Sequence, residues 1–446
     1  MTVETQDNDL RRVRRAGPLN AAVSIPGSKS LTNRALLLAA LAPGQSHLTG
    51  VLDSEDTRIM RDALRQLGLT VNHDVVSNCV DITGTGSGFP NKRAELYIGN
   101  SGTSARFLAA VLAASGGHYR LYGKPRMHER PIGDLLATLT ALGAAIEAQF
   151  GNDCPPLVIE PADALGGATT MAAHVSSQFL SAILMMAPMT NRPVSVAIDG
   201  PLVSLPYIKM TLATMKTFGV VPETDAAYRR FTFSGQEQYK PATCAIEPDA
   251  SAASYFFAAA ALAGGRVTIR GLSRGSLQGD VEFVDCLAAM GCEVTWENDA
   301  ISVCRPVRSD GSLAPLMGID VDMNDISDTV QTLAVVALFA ESPTRIRNVA
   351  HIRHKETDRI AAVVRELRKF RVPVDEFDDG LLVRAGAHCP PQPARIATYD
   401  DHRMAMSFAL AGLVLDGVLI EHPECVAKTF PNYWSVLDSL SKSTPL

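Results

Sequence analysis

Residues 26–42 read PGSKSLTNRALLLAALA and join a glycine turn, two cations and several hydroxyls to a strongly apolar helix. Ser28 or Ser30 can cap this helix after the strand-like run AAVSI has ended. Lys29 and Arg34 then lie near a helix N-terminus, where the helix dipole disfavours a cation by roughly 0.3 to 1 kcal/mol. A bound phosphate or carboxylate would remove the conflict, and the alternative is a solvated first turn.

The same pattern, small polar residues followed by an apolar helix, recurs five more times along the chain. Counted from Ser30, the copies centre on Thr103, Ser177, Ser251, Asp328 and Asp401, at steps of 73, 74, 74, 77 and 73 residues. A second, more amphipathic helix follows each copy, with short alternating segments between the helices. The unit is therefore predicted to run strand, helix, strand, helix, strand.

The first helix of each repeat is nearly all alanine and leucine, so it has to be buried on every side. Two groups of three repeats, each with its apolar helices inside, meet this requirement, and the midpoint falls near residues 241–247. The polar helix starts of both groups would then point toward the space between them. Binding sites favour such domain interfaces.

Composition narrows the classes of function that remain. A net charge of −6 over 446 residues argues against a nucleic-acid partner, and no apolar run approaches the ~18 residues of a membrane span. The eight cysteines form no CxxC pair and no zinc-ligand spacing, which is typical of reduced thiols in a cytoplasmic protein. Without a Walker A, GxGxxG or HExxH motif, neither a nucleotide cofactor nor a metal is expected.

Cations recur at the repeated helix starts, and hydroxyls and amides lie between them. The cations are Lys29, Arg34, Arg106, Lys355, Arg359 and Arg403, with Arg130 and Lys428 just before second helices. The hydroxyls and amides are Ser30, Asn100, Thr103, Ser176, Ser177, Gln178 and Ser204. Only two acids, Asp328 and Glu356, share this class of position. The set predicts one pocket for two small, multiply anionic substrates, with acid/base chemistry on one of them.

Each of these residues also has a simpler interpretation. Lys355 and Arg359 are four apart and are predicted to share one helix face, with Glu356 about 100° round, which also suits a ladder of solvated ion pairs. Asp328 can be merely an N-cap, and Lys428 a surface lysine.

Eight motifs together carry a resemblance to a known family. PGSKSLTNRALLLAALA, GNSGTSAR, ERPIGDLL, SSQFLSA, LVSLPYIKMTL, KETDRIA, DDHRMAM and KTFPNYW resemble, in order and spacing, the 5-enolpyruvylshikimate-3-phosphate (EPSP) synthase family over residues 19–440. The resemblance implies a two-domain inside-out α/β barrel of six repeats, three per domain, the enolpyruvyl transferase fold. It also implies that residues 27–243 form one domain and that residues 1–26 join 244–446 in the other.

The resemblance also assigns site residues, position by position. Its shikimate 3-phosphate contacts fall on Lys29, Ser30, Arg34, Ser176, Ser177, Gln178, Ser204, Asp328, His351 and Lys355. Its phosphoenolpyruvate contacts fall on Lys29, Gly102, Arg130, Gln178, Arg359, Arg403 and Lys428. Asp328, Glu356 and Lys29 are the expected catalytic residues. His351 stands where the family often has asparagine, and Phe107 where proline is common.

The implied reaction transfers the enolpyruvyl group of phosphoenolpyruvate to the 5-hydroxyl of shikimate 3-phosphate, in the shikimate pathway, without a cofactor or metal. A cytoplasmic monomer, inhibited by glyphosate, is expected. One alternative is an enolpyruvyl transferase acting on UDP-N-acetylglucosamine, which typically has a cysteine in the loop that reads GHYRLYGKPRMHERPIG here and contains none. The other alternative is a non-catalytic anion-binding repeat protein.

Overall fold

The structure is a computed structural model that describes residues 9–86, 88–172, 175–190 and 192–442. Its chain divides into two compact units. One unit is the continuous segment 27–247, and the other combines the residues up to 26 with those from 248 onward. Each unit contains three of the six repeats.

The helices of the 27–247 unit alternate between buried and half-buried. They are α1 (Lys29–Leu41), α2 (Glu55–Gln66), α3 (Gly102–Ala113), α4 (Gly133–Ala141), α5 (Ser177–Met186) and α6 (Leu205–Thr217). The first helices of the repeats, α1, α3 and α5, are buried almost throughout, and α3 packs against both α1 and α5. Their alanine- and leucine-rich sequences leave no polar face to expose, so they form the core while α2, α4 and α6 cover them.

Three four-stranded sheets complete this unit. In spatial order their strands are Thr243–Ala245, Gly44–Thr49, Cys79–Gly84 and Thr70–Asp74; Arg93–Tyr97, His118–Tyr122, Leu157–Glu160 and Ala145–Ala148; and Gly167–Ala172, Val194–Asp199, Arg230–Phe233 and Glu223–Thr224. The first two strands of each sheet are parallel, and the others are antiparallel to their neighbours. Every repeat thus builds the same sheet, which is the structural counterpart of the sequence period.

The second unit repeats this plan. Its helices are α7 (Ala250–Ala263), α8 (Phe283–Ala289), α9 (Val330–Ala337), α10 (Arg359–Lys369), α11 (His402–Ala409) and α12 (Tyr433–Lys442). Its sheets contain, in spatial order, Glu293–Trp296, Ala300–Arg305, Gly265–Arg270 and Leu19–Val23; Asp320–Asp322, Thr344–Arg347, Gly380–Val383 and Val374–Phe377; and Leu10–Arg12, Leu419–Glu421 and Arg395–Ile396. Helices α7, α9 and α11 are buried, and α9 packs against the other two.

Two strands pair with a repeat that is distant from them in sequence. The strand Leu19–Val23, which precedes the first repeat in sequence, pairs in parallel with Gly265–Arg270 of the fourth repeat, within the same unit. The strand Thr243–Ala245, which precedes the fourth repeat, pairs in parallel with Gly44–Thr49. The 27–247 unit therefore ends four residues after the boundary predicted at 243, because this last strand is hydrogen-bonded into its sheet.

The buried first helices meet differently in the two units. In the second unit, Thr332 Oγ1 of α9 lies 3.1 Å from Ser254 Oγ of α7 and 3.2 Å from Ser407 Oγ of α11, so three hydroxyls join the three helices. In the 27–247 unit a buried Arg34 of α1 takes this role, as described below. Of the helices in the described residues, none is long and apolar enough to cross a membrane.

Candidate active site

Helix α1 begins with a cation, as its sequence predicted. Ser28 is the N-cap, and its Oγ accepts a hydrogen bond from Leu31 N at 3.4 Å. Lys29 is the first helical residue, and its Nζ lies 3.6 Å from Oδ2 of Asp56 in α2. Both side chains are largely buried, so the carboxylate offsets the unfavourable position of the lysine at the helix N-terminus.

Arg34 is buried where three helices of the 27–247 unit meet. Its Nε donates to Thr211 Oγ1 at 2.7 Å, and its Nη2 lies 3.3 Å from Ser181 Oγ and 3.3 Å from the carbonyl oxygen of Tyr207. The guanidinium also stands over the ring of Phe107, with Cζ 5.1 Å from the centroid. Burial lowers the pKa of Arg34 to about 10, and none of its hydrogen bonds in the described part of the chain reaches a carboxylate.

The ring of Phe107 explains how the chain accommodates this residue in place of the proline common in the family. Phe107 is fully buried on α3, and its face supplies a cation–π contact to the Arg34 guanidinium. Arg106, the preceding cation, donates from Nη2 to the carbonyl oxygen of Pro131 at 3.0 Å. It stabilises the backbone beside the candidate site.

The start of α3 is in contact with the loop before α4. Arg130 Nη1 donates to the carbonyl oxygen of Asn100 at 3.0 Å and to its Oδ1 at 3.1 Å. Gly102 is the first residue of α3 and lies directly against the Arg130 guanidinium. On the other side, Gln178 Nε2 of α5 lies 3.4 Å from Thr103 Oγ1. The structure thus brings these predicted site residues of the second and third repeats together.

The remaining predicted residues of this unit lie at two helix starts. Ser176 is the N-cap of α5 and its Oγ accepts from Gln178 N at 3.2 Å, while Ser177 begins the helix. Ser204 precedes α6 with φ +54° and ψ +51°, a left-handed conformation that costs on the order of 1 to 3 kcal/mol for a residue other than glycine. Strain of this kind clusters at functional sites. Ser30, in the first turn of α1, accepts a hydrogen bond from Arg34 through its carbonyl oxygen.

In the second unit, the centre of the site is Arg359, the first residue of α10, which is 1% exposed. Its Nε lies 2.8 Å from Oδ2 of Asp401, and its Nη2 lies 3.2 Å from the other oxygen of that carboxylate. Two further carboxylates, Glu356 at 2.9 Å and Asp328 at 3.2 Å, complete the contacts. Burial lowers the pKa of Arg359, but the three carboxylates outweigh it and raise the pKa above its usual value.

Asp328 lies between two arginines. Its Oδ1 is 3.2 Å from Arg359 Nη1, and its Oδ2 is 2.7 Å from Arg403 Nη2. Arg403 also donates from Nη1 to the Asp328 carbonyl oxygen at 2.9 Å. Helix α9 begins only at Val330, with Thr329 as its N-cap, so the interpretation of Asp328 as a helix cap is wrong.

The KETD segment, residues 355–358, is not helical, which corrects a prediction. A 3-10 turn spans Ala350–His354 and α10 starts at Arg359, so Lys355 and Glu356 lie in the intervening loop. Lys355 and Arg359 therefore share no helix face, because Asp358 caps α10 with its carboxylate accepting from Ala361 N. In this loop Glu356 turns inward, and its carboxylate contacts both Arg359 and Lys428.

Two predicted residues flank this cluster. Lys428, at the end of a 3-10 turn, is 6% exposed and its Nζ lies 3.5 Å from Glu356 Oε1, so it is not a surface lysine. His351 is also buried, and burial, together with the positive charge of Lys355, lowers its pKa to about 3. His351 is therefore neutral over the physiological range.

Three acids that sequence reasoning did not assign to the site are part of it. Asp56 pairs with Lys29, Asp401 holds Arg359 through both oxygens, and Asp280 is buried near Asp328. The sequence could have indicated two of them from their positions at helix starts. Asp56 lies in the first turn of α2, and Asp401 is the N-cap of α11. Among the residues that the structure describes, no group of three or more potential ligands is arranged to hold a metal ion.

This fold and these paired clusters define a class of protein. The structure resembles that of EPSP synthase from Acinetobacter baumannii, with a TM-score of 0.80 and 25% sequence identity. The similarity covers 97% of this chain and 98% of that chain. Its fold also matches the enolpyruvyl transferase NikO from Streptomyces tendae, with a TM-score of 0.75 and 18% identity over 97% of both chains. The chain has the enolpyruvyl transferase fold, and the predicted fold class is confirmed.

Sequence similarity narrows the class to one family. The family model described as EPSP synthase (3-phosphoshikimate 1-carboxyvinyltransferase) matches residues 13–437. The 3-phosphoshikimate 1-carboxyvinyltransferase of Nostoc punctiforme is 47% identical over 94% of this chain and 96% of its own length. The chloroplastic enzyme of Brassica napus is 45% identical over 95% of this chain and 84% of its own length. The chain belongs to the EPSP synthase family, and the predicted family of enzymes is confirmed.

Proposed function

We propose that this protein transfers the enolpyruvyl group of phosphoenolpyruvate to the 5-hydroxyl of shikimate 3-phosphate and releases phosphate, within the shikimate pathway and the synthesis of aromatic amino acids. The membership of the EPSP synthase family supports this reaction. The observation that carries it is the pairing of a half-buried base with two buried cations, since Asp328 is held by Arg359 and Arg403. An anion-binding protein without catalysis has no need of a carboxylate at that point.

The proposed subsite for shikimate 3-phosphate draws mainly on the 27–247 unit. Its residues are Lys29, Ser30, Arg34, Ser176, Ser177, Gln178 and Ser204, joined by Asp328, His351 and Lys355. The buried Arg34, whose hydrogen bonds in the described residues reach no carboxylate, gives this subsite a positive potential that suits a phosphorylated acid. Four of the residues supply hydroxyl groups, which suit a substrate with ring hydroxyls.

The proposed subsite for phosphoenolpyruvate follows the contacts that the family resemblance implies. Its residues are Lys29, Gly102, Arg130, Gln178, Arg359, Arg403 and Lys428. Arginine binds carboxylate and phosphate through two parallel hydrogen bonds, and three arginines provide such contacts here. Glycine at position 102 lets a ligand approach the backbone of α3 closely, since there is no Cβ.

In the proposed mechanism, Asp328 accepts the proton of the 5-hydroxyl as that oxygen adds to C2 of phosphoenolpyruvate and C3 is protonated. The tetrahedral ketal phosphate then loses phosphate and a C3 proton. Glu356 and Lys29 are the candidates for proton transfer at C3 and at the leaving phosphate. The distance of 3.5 Å between Glu356 Oε1 and Lys428 Nζ supports this, because it places the buried acid beside a lysine that can also donate a proton.

Substrate charge is neutralised by arginine and lysine, so the proposed mechanism uses no metal or organic cofactor. The proposal includes a cytoplasmic monomer without nucleic-acid or membrane partners, in keeping with the net charge of −6 and with eight cysteines that form no CxxC pair and no zinc-ligand spacing. It also includes inhibition by glyphosate at the phosphoenolpyruvate subsite. The alternative substrate UDP-N-acetylglucosamine is disfavoured by the loop before α4, which lacks the cysteine typical of that enzyme.

Phosphate release tests the proposal directly. We expect release from phosphoenolpyruvate only when shikimate 3-phosphate is present, and no release when UDP-N-acetylglucosamine replaces it. The enolpyruvyl product is identified by mass spectrometry. Release with the nucleotide sugar, or binding of both substrates without turnover, would contradict the proposed reaction.

A further inference from the structure

The fourth repeat is the one whose helix start contributes no residue to the proposed subsites. Residues 247–264 contain no cation. Asp249 caps α7 by accepting from Ala252 N at 2.9 Å, and the hydroxyl of Ser251 donates to Oδ2 of Asp280. At this helix start, Ser251 contacts a buried carboxyl group, that of Asp280.

Asp280 is held firmly at that place. It lies in the 3-10 turn Gly279–Glu282 and is 4% exposed. The adjacent Gln278 fixes the turn to the start of α7, since its Oε1 accepts from Ala250 N at 3.0 Å and its Nε2 donates to the carbonyl oxygen of Pro248 at 2.7 Å. The carboxyl group of Asp280 thus has a defined position against the helix.

The same turn packs against the turn Ser327–Thr329, which contains the proposed base Asp328. One helical turn after Ser251, Tyr255 of α7 accepts a hydrogen bond through Oη from Arg403 Nη1 at 3.4 Å. Helix α7 therefore contacts Asp280 through Ser251. One turn later it contacts Arg403, which holds Asp328, through Tyr255.

Asp280 is buried and Asp328 half-buried in two turns that pack together, and carboxyl groups so placed do not both ionise readily. Asp328 has two guanidinium partners, whereas the hydroxyl of Ser251 donates to Asp280, so the negative charge is stabilised on Asp328. Burial and then the charge of Asp328 raise the pKa of Asp280 to about 7, although Ser251 and Arg403 act in the opposite direction and Asp249 adds slightly to the rise. From α8, the nearest acid is Asp285, which is exposed beside Arg274.

We propose that Asp280 and Asp328 share one proton, which resides on Asp280 in the resting enzyme, and that Asp280 is thereby a positioning residue that keeps Asp328 ionised as the base. This inference rests on the role proposed for Asp328. Loss of the proton from Asp280 at higher pH places a second negative charge beside Arg403. The affinity of Arg403 for an anionic substrate then falls.

Carbon-13 NMR of the enzyme labelled at the aspartate carboxyl carbon tests the shared proton without requiring activity. The carboxyl resonance of Asp280 is identified by its absence from the spectrum of Asp280→Asn. In the wild type it is expected to titrate with a midpoint of about 7. Ser251→Ala removes a hydrogen bond to the ionised form and is expected to move that midpoint upward. Asp285→Asn, which removes an exposed acid from the neighbouring helix, is the control and leaves the midpoint in place. A midpoint below about 5, the range of an ordinary aspartate, overturns the shared proton.

Kinetics test the positioning role separately. The quantity to follow is kcat/KM for phosphoenolpyruvate of Asp280→Asn divided by that of the wild type. This ratio is expected to rise by about tenfold between pH 6 and pH 8.5, because only the wild type gains the charge beside Arg403. Most of this change is expected in KM. A merely structural role predicts a ratio that does not vary with pH, as for Asp285→Asn. A constant ratio together with an NMR midpoint near 7 would refute the positioning role while leaving the shared proton intact.

Discussion

A Cβ atom added to Gly102 would lie 2.4 Å from Nη2 of Arg130, closer than the 3.0 Å that Cβ atoms keep from other heavy atoms in proteins. Arg130 is 3% exposed and is held by two hydrogen bonds to Asn100, so its guanidinium has little room to withdraw. Glycine at the start of α3 and arginine before α4 are thus matched to each other. This pair connects a backbone position to a proposed phosphoenolpyruvate contact.

Gly102→Ala is accordingly expected to displace Arg130 and to raise both the KM for phosphoenolpyruvate and the inhibition constant of glyphosate. The inhibitor should lose more, because it is the longer ligand and reaches further toward the added methyl group. Inhibition curves at matched substrate saturation measure the two effects. Gly275→Ala is the control, since its Cβ would meet only Ser273 Oγ at 3.6 Å. A variant as sensitive as the wild type would show that Gly102 does not line this subsite.

Asp328→Asn tests the proposed base with little change of shape. We expect kcat to fall by at least ~10²-fold, because the amide cannot accept the hydroxyl proton. Circular dichroism and thermal unfolding check that the variant is folded, since Arg359 and Arg403 lose a carboxylate partner. Near-normal turnover in a folded variant would reject the assignment.

Arg403→Ala is expected to affect both steady-state constants. It removes a charge-assisted contact to phosphoenolpyruvate worth roughly 1.5 to 3 kcal/mol, which raises KM by about 10- to 150-fold. It also removes the hydrogen bonds to the carboxylate and carbonyl oxygens of Asp328, so kcat should fall as well. Arg384→Ala, which removes an exposed arginine paired with Asp375, is the matched control. An unchanged KM would argue against the substrate contact.

His351→Asn is expected to reduce the loss of stability in acid. The pKa of His351 is about 3 in the folded protein and 6.5 in the reference state, so the unfolded chain binds the extra proton between these values. The stability due to neutral His351 is complete above pH 6.5 and decreases as the pH falls toward 3, by about 2 kcal/mol at pH 5. Thermal midpoints at pH 7.5 and pH 5 should therefore differ less in the variant. Equal differences would mean that His351 is not held neutral.

Cutting the chain tests where the 27–247 unit ends. A fragment of residues 27–247 is expected to be more stable than one of residues 27–243, which loses Cys244 and Ala245 of the last strand and the buried Ile246. Burial of one isoleucine contributes about 1.5 to 3 kcal/mol. Urea unfolding of both fragments measures the difference. Equal midpoints would favour the shorter boundary that the sequence predicted.

Local patterns were sufficient to predict the repeats. The period of 73 to 77 residues, the alanine- and leucine-rich first helices and the glycine- and serine-rich helix starts are all encoded in short segments. Burial of the first helices follows from their composition, because a helix without a polar face has to be covered on all sides. The cations and hydroxyls at the helix starts were visible for the same reason, since capping positions are defined by neighbours in sequence.

The tertiary structure alone decided which residues meet across long separations. The pairing of the strand Leu19–Val23 with Gly265–Arg270, and of Thr243–Ala245 with Gly44–Thr49, depends on hydrogen bonds to strands far along the chain. The same holds for Asp401, whose carboxylate pairs with Arg359 at a distance of 42 residues. Periodicity also predicted a helix through Glu356, but its ion pairs with Arg359 and Lys428 favour a loop there. Strand pairing and buried ion pairs gain their energy from contacts that no local pattern encodes, so only the folded chain decides them.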